Sequence, residues 1–487
     1  MQKTSRHFCA IMILSFALLR ADAQKKNNSL ASLKSQASAD LQSQYDIYKK
    51  KALQIWGFAE LGYKEYKSSA LLQQTLKDND FTVEAGVAGI PTAFVATYGS
   101  GRPLIGILAE FDALPGLSQD STSEKSPIAG MKSGHGCGHH LFGVASTAAG
   151  IELKKMIASG KLKGTIKVYG CPAEEGGSGK VYMVRAGLFN GVDVVMHWHP
   201  GSENQVELRR SMANISAKFR FHGLAAHAAA APDKGRSALD AVEGMDMMVN
   251  MMREHIPSST RIHYVITDGG KAPNVVPDFA ESYYYVRNQD RAIVQDVFAR
   301  VVKAAEGASL GTGTSFDYEV IGGVYELLPN NTLAETMQKN LEDVGGVAYT
   351  DKENEFAKRI QATFNYKVPD PQNASKIKPL TQEKDDGGAS TDVGDVSWTV
   401  PTVGLNTATW VPGTPAHSWQ ATACGGTDIG IKGMMVAAKT LVLTGIDLFT
   451  DNTIIQKATE EFKKAKGSDF QYKALLGDRQ PALNYRD

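Results

Sequence analysis

Cysteine is scarce in this chain, with four in 487 residues. One of them, Cys9, sits in an N-terminal segment that reads as a removable leader. The remaining Cys137, Cys171 and Cys424 are odd in number, which argues against a disulfide framework and for at least one thiol with another task. A single bond between Cys171 and Cys424 stays open at this level. Excess charge is missing too: Lys plus Arg equals Asp plus Glu at 52 each. No global field therefore draws the chain to nucleic acid or an anionic membrane, although a local basic site is compatible with that balance. Beyond the N-terminus no apolar run looks long enough to span a bilayer. Internal repeats and low-complexity tracts are absent.

What is present begins with an export signal. Lys3, Arg6 and His7 precede the apolar "FCAIMILSFALL", and "ADA" before Gln24 fits a small-x-small cleavage site. Residues 1–23 are expected to leave, giving a periplasmic or extracellular mature chain with no membrane anchor. At this length two or three domains are expected. The runs "PLIGILAEFDALPG", "GTIKVYGCPAEEGGSGK", "GVDVVMHWHPG" and "VPTVGLNTATWVPG" are each a β-rich apolar stretch ending in polar residues and glycine. Helical patterns separate them, including "LFGVASTAAGIELKKMI" and a segment from about Asp40 to Asn79. That alternation predicts an α/β domain with a mixed, mostly parallel sheet, whose ligands bind beyond the carboxyl ends of the strands.

The middle of the chain has a different rhythm. A strand-like "NISAKFRFHG" is followed by a Met-rich helical segment, Gly235 to His255. Two strand-like runs, "TRIHYVITDG" and "DFAESYYYVRN", come next, then a helix "AIVQDVFARVVKAAEG" and a strand "SFDYEVIGG". The order β-α-β-β-α-β is ferredoxin-like. The expected layout is therefore a catalytic domain in two halves, 24–212 and 324–487, with an α+β domain inserted over 213–323. The Met stripe reads as core or dimer packing. The polar stretch Asp351 to Gly388 reads as a surface excursion near the site.

Four polar clusters fall at strand ends or adjoining loops. "KSGHGCGHHLFG" places His135, Cys137, His139 and His140 within six residues. Alone it reads equally as a metal-binding turn or as a glycine-rich turn with solvated imidazoles. Glu174 and Glu175 are adjacent in "CPAEEGG", His197 and His199 share "VMHWHPG", and His417 stands in "GTPAHSW". Together they offer a thiolate, imidazoles and carboxylates, enough for one or two Zn or Mn ions. On a turn the two glutamates can divide the work, Glu175 binding metal and Glu174 taking the proton of an attacking water. His199 is favoured over His197 because it ends the strand. Glu110 and Asp112, in "AEFDALPG", suit hydrogen bonds that orient a ligand histidine.

Taken in order, "AEFDALPG", "SGHGCGHHLFG", "GCPAEEGGSGK", "MHWHP", "GLAAHAAAAPDKGRSALDAV", "APNVVPDFAESYYYVR" and "PAHSW" resemble the dinuclear metallo-amidohydrolases of peptidase family M20. The likeness is greatest to the subgroup of aminoacylases, hippurate hydrolases and indole-acetyl-amino-acid hydrolases. The resemblance implies two divalent ions per subunit, with ligands Cys137, His139, Glu175, His199 and His417. It also implies that Cys137 bridges the ions and that Glu174 is the general base. The inserted domain would serve as lid and dimerisation domain, in a homodimer or with a related second subunit. His227 would offer a proton to the substrate carbonyl, often from the partner, and Asn274 and Arg287 would bind substrate. One departure stands out: the subgroup usually has Asp or Asn where this chain has His140. The implied activity is hydrolysis of the amide bond of N-acyl or N-aroyl amino acids, with p-aminobenzoyl-glutamate-like conjugates as the leading expectation. A dipeptidase or carboxypeptidase, or an inactive exported binding protein, are the alternatives.

Overall fold

The computed structural model describes residues 28–381 and 388–486; the expected export signal, 1–23, lies outside them. The larger sheet has seven strands in the order Thr82–Ala85, Phe94–Gly99, Thr165–Gly170, Leu104–Ala109, Val194–Gly201, Thr402–Ala408, Gln205–Glu207. Its four central members, from Thr165–Gly170 to Thr402–Ala408, run parallel, and the flanking pairs are antiparallel. The central strands are almost wholly buried, as their near-continuous apolar sequences require of a sheet covered on both faces. Each polar cluster named above lies near the carboxyl end of a central strand or in a loop beside it.

Helices cover the sheet. His139–Ala158 is buried along most of its 20 residues. Asp428–Thr450, 23 residues long, is long and apolar enough to cross a membrane, contrary to the expectation that no such run exists. It is a core helix, buried along most of its length and packed against His139–Ala158 and Asn331–Val344. The helical pattern over 40–79 resolves into separate helices: Tyr45–Phe58 ends at Ala59, whose φ of 43° is left-handed, before Tyr66–Lys77 begins.

Ala213–His222, Ala238–Met252, Arg261–Asp268, Phe279–Asn288, Arg291–Thr312 and Ser315–Val324 alternate as β-α-β-β-α-β. Their four strands form a second antiparallel sheet, ordered Arg261–Asp268, Phe279–Asn288, Ala213–His222, Ser315–Val324. Ser237 caps the first helix by accepting from the Asp240 N–H at 3.1 Å. Its inward face, including Val242, Met245 and Val249, joins a core separate from that of the large sheet. Its outward Met247 and Met251 are exposed. The largely exposed stretch after Asp351 contains a helix. A capping box at Thr350 and Glu353 starts the helix Asp351–Gln361, and Ala357 and Ile360 pack with Trp410, Val411 and Cys424.

Candidate active site

Segment 134–138 folds against the end of the Val194–Gly201 strand. Gly138 has φ 77°, and a Cβ there would lie 2.7 Å from Pro200. Only glycine permits both the turn and the approach. The turn presents Cys137 and starts the next helix at His139. Cys137 Sγ lies 3.4 Å from His199 Nε2, while His199 Nδ1 meets the Pro200 carbonyl at 2.7 Å. The nitrogen left for a metal is therefore the one aimed at the thiol. His139 is oriented the same way: Nδ1 meets Asp112 Oδ1 at 2.8 Å, and Nε2 faces Glu110 Oε2 at 3.1 Å.

Two trios of donor atoms converge, each within 4.8 Å: Cys137 with His139 and His199, and Cys137 with Glu175 and His417. Cys137 belongs to both. A third trio, Glu110, His139 and Glu174, adjoins them. His417, itself at a left-handed φ of 58°, brings Nε2 to 3.2 Å from Glu175 Oε1. Yet Glu110 Oε2, His139 Nε2 and Glu175 Oε1 are buried and make no hydrogen bond. Close donor atoms without hydrogen-bond geometry fit a cation set between them, and thiolate with imidazole and carboxylate suits Zn or Mn.

The electrostatics agree with that fit. Burial first, then the charges of Glu110 and Glu175, push the Glu174 carboxyl well above its ordinary range. Glu175 goes the other way: burial is overcome by the close His417 imidazole and the nearby His139. Burial and Glu175 raise the Cys137 thiol. The His139 imidazole is raised against its burial by Cys137, Asp112 and Glu110, so this surplus of acceptors draws protons as it would draw cations. One buried cation offsets it. Lys180 Nζ lies 2.6 Å from both Glu110 Oε1 and Asp392 Oδ1. Neither Lys180, in "GGSGK", nor Asp392 was marked by a sequence pattern.

His197 and His199 both reach the cavity, but His197 faces Glu207 at 3.9 Å and stands apart from the donor trios. His135 and His140 are neither solvated nor superficial. Both are buried, with ring centroids 4.8 Å apart. His135 Nε2 meets the Ile55 carbonyl at 3.1 Å, and His140 Nε2 meets that of Gly425 at 3.0 Å. Burial lowers both imidazoles, which keeps them neutral. His140 thus ties the helix that begins at His139 to the helix Trp419–Gly425, which follows His417.

His227, Asn274 and Arg287 are not brought to this cavity. His227 and Asn274 are exposed on the inserted domain, where the Ala228 N–H donates to the Asn274 carbonyl at 3.0 Å. His227 Nδ1 accepts from the N–H groups of Ala229 and Ala230. Arg287 lies over the Tyr285 ring at 5.0 Å. The cavity, about 620 Å³, instead contains Arg209 and Arg210 beside Gln205 and Asn406. These arginines were missed by sequence reasoning; the paired arginines of "ELRRSM", just after the edge strand Gln205–Glu207, were the only signal. A larger cavity, about 850 Å³, is lined by Lys49, Asp428, Lys432 and Glu353 in ion pairs and holds none of the metal-donor residues.

Residues 211–311 match the peptidase dimerisation domain family. Over 451 residues the chain is 40% identical to a p-aminobenzoyl-glutamate hydrolase component of Escherichia coli K12, covering 88% of this chain and 93% of that protein. It is 28% identical over 424 residues to the Xaa-Arg dipeptidase of Mus musculus, covering 84% and 87%. Two solved structures share the fold at a TM-score of 0.57. One is an aminobenzoyl-glutamate utilization protein from Klebsiella pneumoniae, at 19% identity and 85% and 98% coverage. The other is a dinuclear metal-binding M20 peptidase from Bacillus subtilis, at 15% identity and 84% and 99% coverage.

Proposed function

The chain belongs to peptidase family M20 and is a metallo-amidohydrolase, and from that premise we propose that it cleaves N-acyl or N-aroyl amino acids with two divalent ions, p-aminobenzoyl-glutamate-like conjugates being the favoured substrates. The observation that carries this is Cys137, shared by two donor trios with Glu174 beside them. Cys137, His139 and His199 would hold one ion, and Cys137, Glu175 and His417 the other. Bound there, such ions supply acidified water and a polarised carbonyl.

The chain's own residues do the rest. The Glu174 carboxylate takes the proton of the attacking water and returns it to the departing amide nitrogen. Asp112 and the Pro200 carbonyl fix which imidazole nitrogens face the site. Arg209 and Arg210 line the same cavity and suit the carboxylates of an acylated glutamate, since a guanidinium pairs both oxygens at once. His227, exposed and remote from its own chain's cavity, serves the oxyanion in the cavity of a second subunit. The exposed Met247 and Met251 offer the apolar contact for that assembly, with a second copy or a related subunit. We also propose export after cleavage at Ala23, supported by the sequence pattern.

The test is a panel of p-aminobenzoyl-glutamate, hippurate and X-Glu dipeptides given to full chain loaded with metal. Aroyl-glutamate is expected to be cleaved fastest. A preference for dipeptides, which the dipeptidase relative makes the second reading, would reassign the substrate class. No cleavage of any of them by protein carrying two equivalents of metal would overturn the reading.

A further inference from the structure

The Glu174–Gly177 turn makes little regular structure of its own. Ala173 and Ser178 on either side have left-handed φ of 57° and 58°, Gly176 has φ 90°, and Glu175 has a non-helical ψ of 64°. Such a backbone persists only where its surroundings impose it. The surroundings are side chains from distant parts of the sequence. Glu65 Oε1 accepts from the Ala173 N–H at 2.8 Å. Asp112 Oδ2 accepts from the Glu175 N–H at 2.9 Å. The Tyr63 hydroxyl donates to the Gly177 carbonyl at 2.6 Å. The Glu175 carbonyl takes two donors, the Tyr485 hydroxyl at 2.9 Å and Arg486 Nη2 at 2.6 Å, both from the end of the chain.

That end is a strap with a second anchor. Arg479 Nη1 donates to the carbonyls of Val320 and Ile321, and its Nη2 pairs with Glu319 Oε1 at 2.9 Å. These residues flank the irregularity between Val320 and Gly322 in the last strand of the inserted domain, where freed carbonyls need outside donors. At the same anchor, Arg185 Nη1 donates to the Arg479 carbonyl at 2.7 Å. The fit beneath the turn is close: the Tyr485 ring meets Tyr63 edge-on at 5.5 Å. A Cβ on Gly62 would sit 2.3 Å from the Tyr485 hydroxyl oxygen.

We propose that the C-terminal strap, through Tyr485 and Arg486, holds the Glu174–Glu175 turn in the geometry that hydrolysis uses, and that Arg479 fastens this strap to the inserted domain. Tyr485 and Arg486 touch neither substrate nor reacting atoms; they are positioning residues. Their hydrogen bonds fix the carbonyl of Glu175 and so the direction of two consecutive side chains, one a proposed ligand and one the proposed base. The inference rests on the site reading given above.

The test uses full-length Tyr485→Phe, Arg486→Met and the double variant, which keep the packing against Tyr63 while removing the donors. Zinc affinity by chelator competition, kcat and KM on p-aminobenzoyl-glutamate, and amide exchange of residues 173–178 are measured beside thermal unfolding. The double variant is expected to lose zinc affinity and kcat by about ten- to a hundredfold, the usual effect of removing partners behind a metal ligand. Its KM should stay near the wild-type value, exchange in the turn should quicken, and the unfolding midpoint should hold. Wild-type affinity, kcat and exchange in the double variant would overturn the proposal, and so would a loss of activity matched by global unfolding. If the wild-type chain binds no zinc and cleaves nothing, the site reading falls instead. Exchange at 173–178 then decides the strap: quickened in the double variant supports it, unchanged overturns it.

Discussion

Asp112 holds His139 and Glu175 at once: Oδ1 meets His139 Nδ1 at 2.8 Å, and Oδ2 accepts from the Glu175 N–H at 2.9 Å. One carboxylate thereby fixes the tautomer of one proposed ligand and the backbone of another. The His139 imidazole and these hydrogen bonds keep it below the usual carboxylate range despite its burial. Asp112→Ala is expected to weaken zinc binding by about ten- to a hundredfold. Chelator competition measures it, and unchanged affinity would detach Asp112 from the site.

Glu174 is expected to matter for turnover and little for metal. Glu174→Gln keeps the shape and removes the proton acceptor. A fall in kcat of about 10²–10⁴-fold is expected, the range typical of a general base, with metal content by mass spectrometry equal to wild type. Lost metal with lost activity would move Glu174 into the ligand set.

The parts of this site legible in the sequence share one property: each follows directly on a local pattern. Glu110 follows the buried strand Leu104–Ala109, Glu174 comes shortly after Thr165–Gly170, and His199 lies near the end of an apolar strand. An apolar run broken by a polar residue marks a strand end, and strand ends are where an α/β sheet binds ligands. The ferredoxin-like order was equally legible, because each strand and helix carries its own periodicity. Tyr485 and Arg486 carried no such mark, since their partner Glu175 lies 310 and 311 residues away. The role of His140 was illegible for a related reason. Its neighbours suggested metal or solvent, whereas its own partner is the Gly425 carbonyl, 285 residues on.

Asp395 should give the protein a recognisable dependence of stability on pH. It is fully buried, and burial pushes its carboxyl up to about 7, against hydrogen bonds from the Tyr472 hydroxyl and the Tyr325 N–H. The folded value lies above the ordinary one of about 4, so the folded state binds this proton more tightly. Its stabilising contribution is complete below about pH 4 and is lost as pH rises through about 7. Asp395→Asn, neutral throughout, removes that term. Unfolding free energies of wild type minus variant should fall across this window and level off above it. A flat difference would show that Asp395 does not titrate there.

Arg209 and Arg210 line the cavity and are expected to act in binding more than in chemistry. Replacing Arg209 with Gln should raise KM for aroyl-glutamate by about tenfold or more, the cost of a hydrogen bond to a charged group. The kcat should change little. An aroyl amino acid amide, which lacks the α-carboxylate, should show a smaller effect. Equal losses on both substrates would mean that the arginine supports the fold of the wall and does not read the carboxylate.

His227 supplies the sharpest test of assembly. It is exposed, with Nδ1 engaged by its own loop, and it is absent from its own chain's cavity. If it completes the cavity of a partner, His227→Ala and Glu174→Gln homodimers should each be nearly inactive for different reasons. Mixed after dissociation and reassociation, they form hybrids in which one cavity has both an intact Glu174 and a His227 from across the interface. Random pairing makes half the dimers hybrid with one complete site of two, so about a quarter of wild-type activity should return. No recovery in a mixture shown by mass spectrometry to contain hybrids would place His227 outside the reaction, or within its own subunit. Met251→Glu, which puts a charge on the exposed face of Ala238–Met252, should abolish recovery by preventing pairing, leaving a monomer in sedimentation.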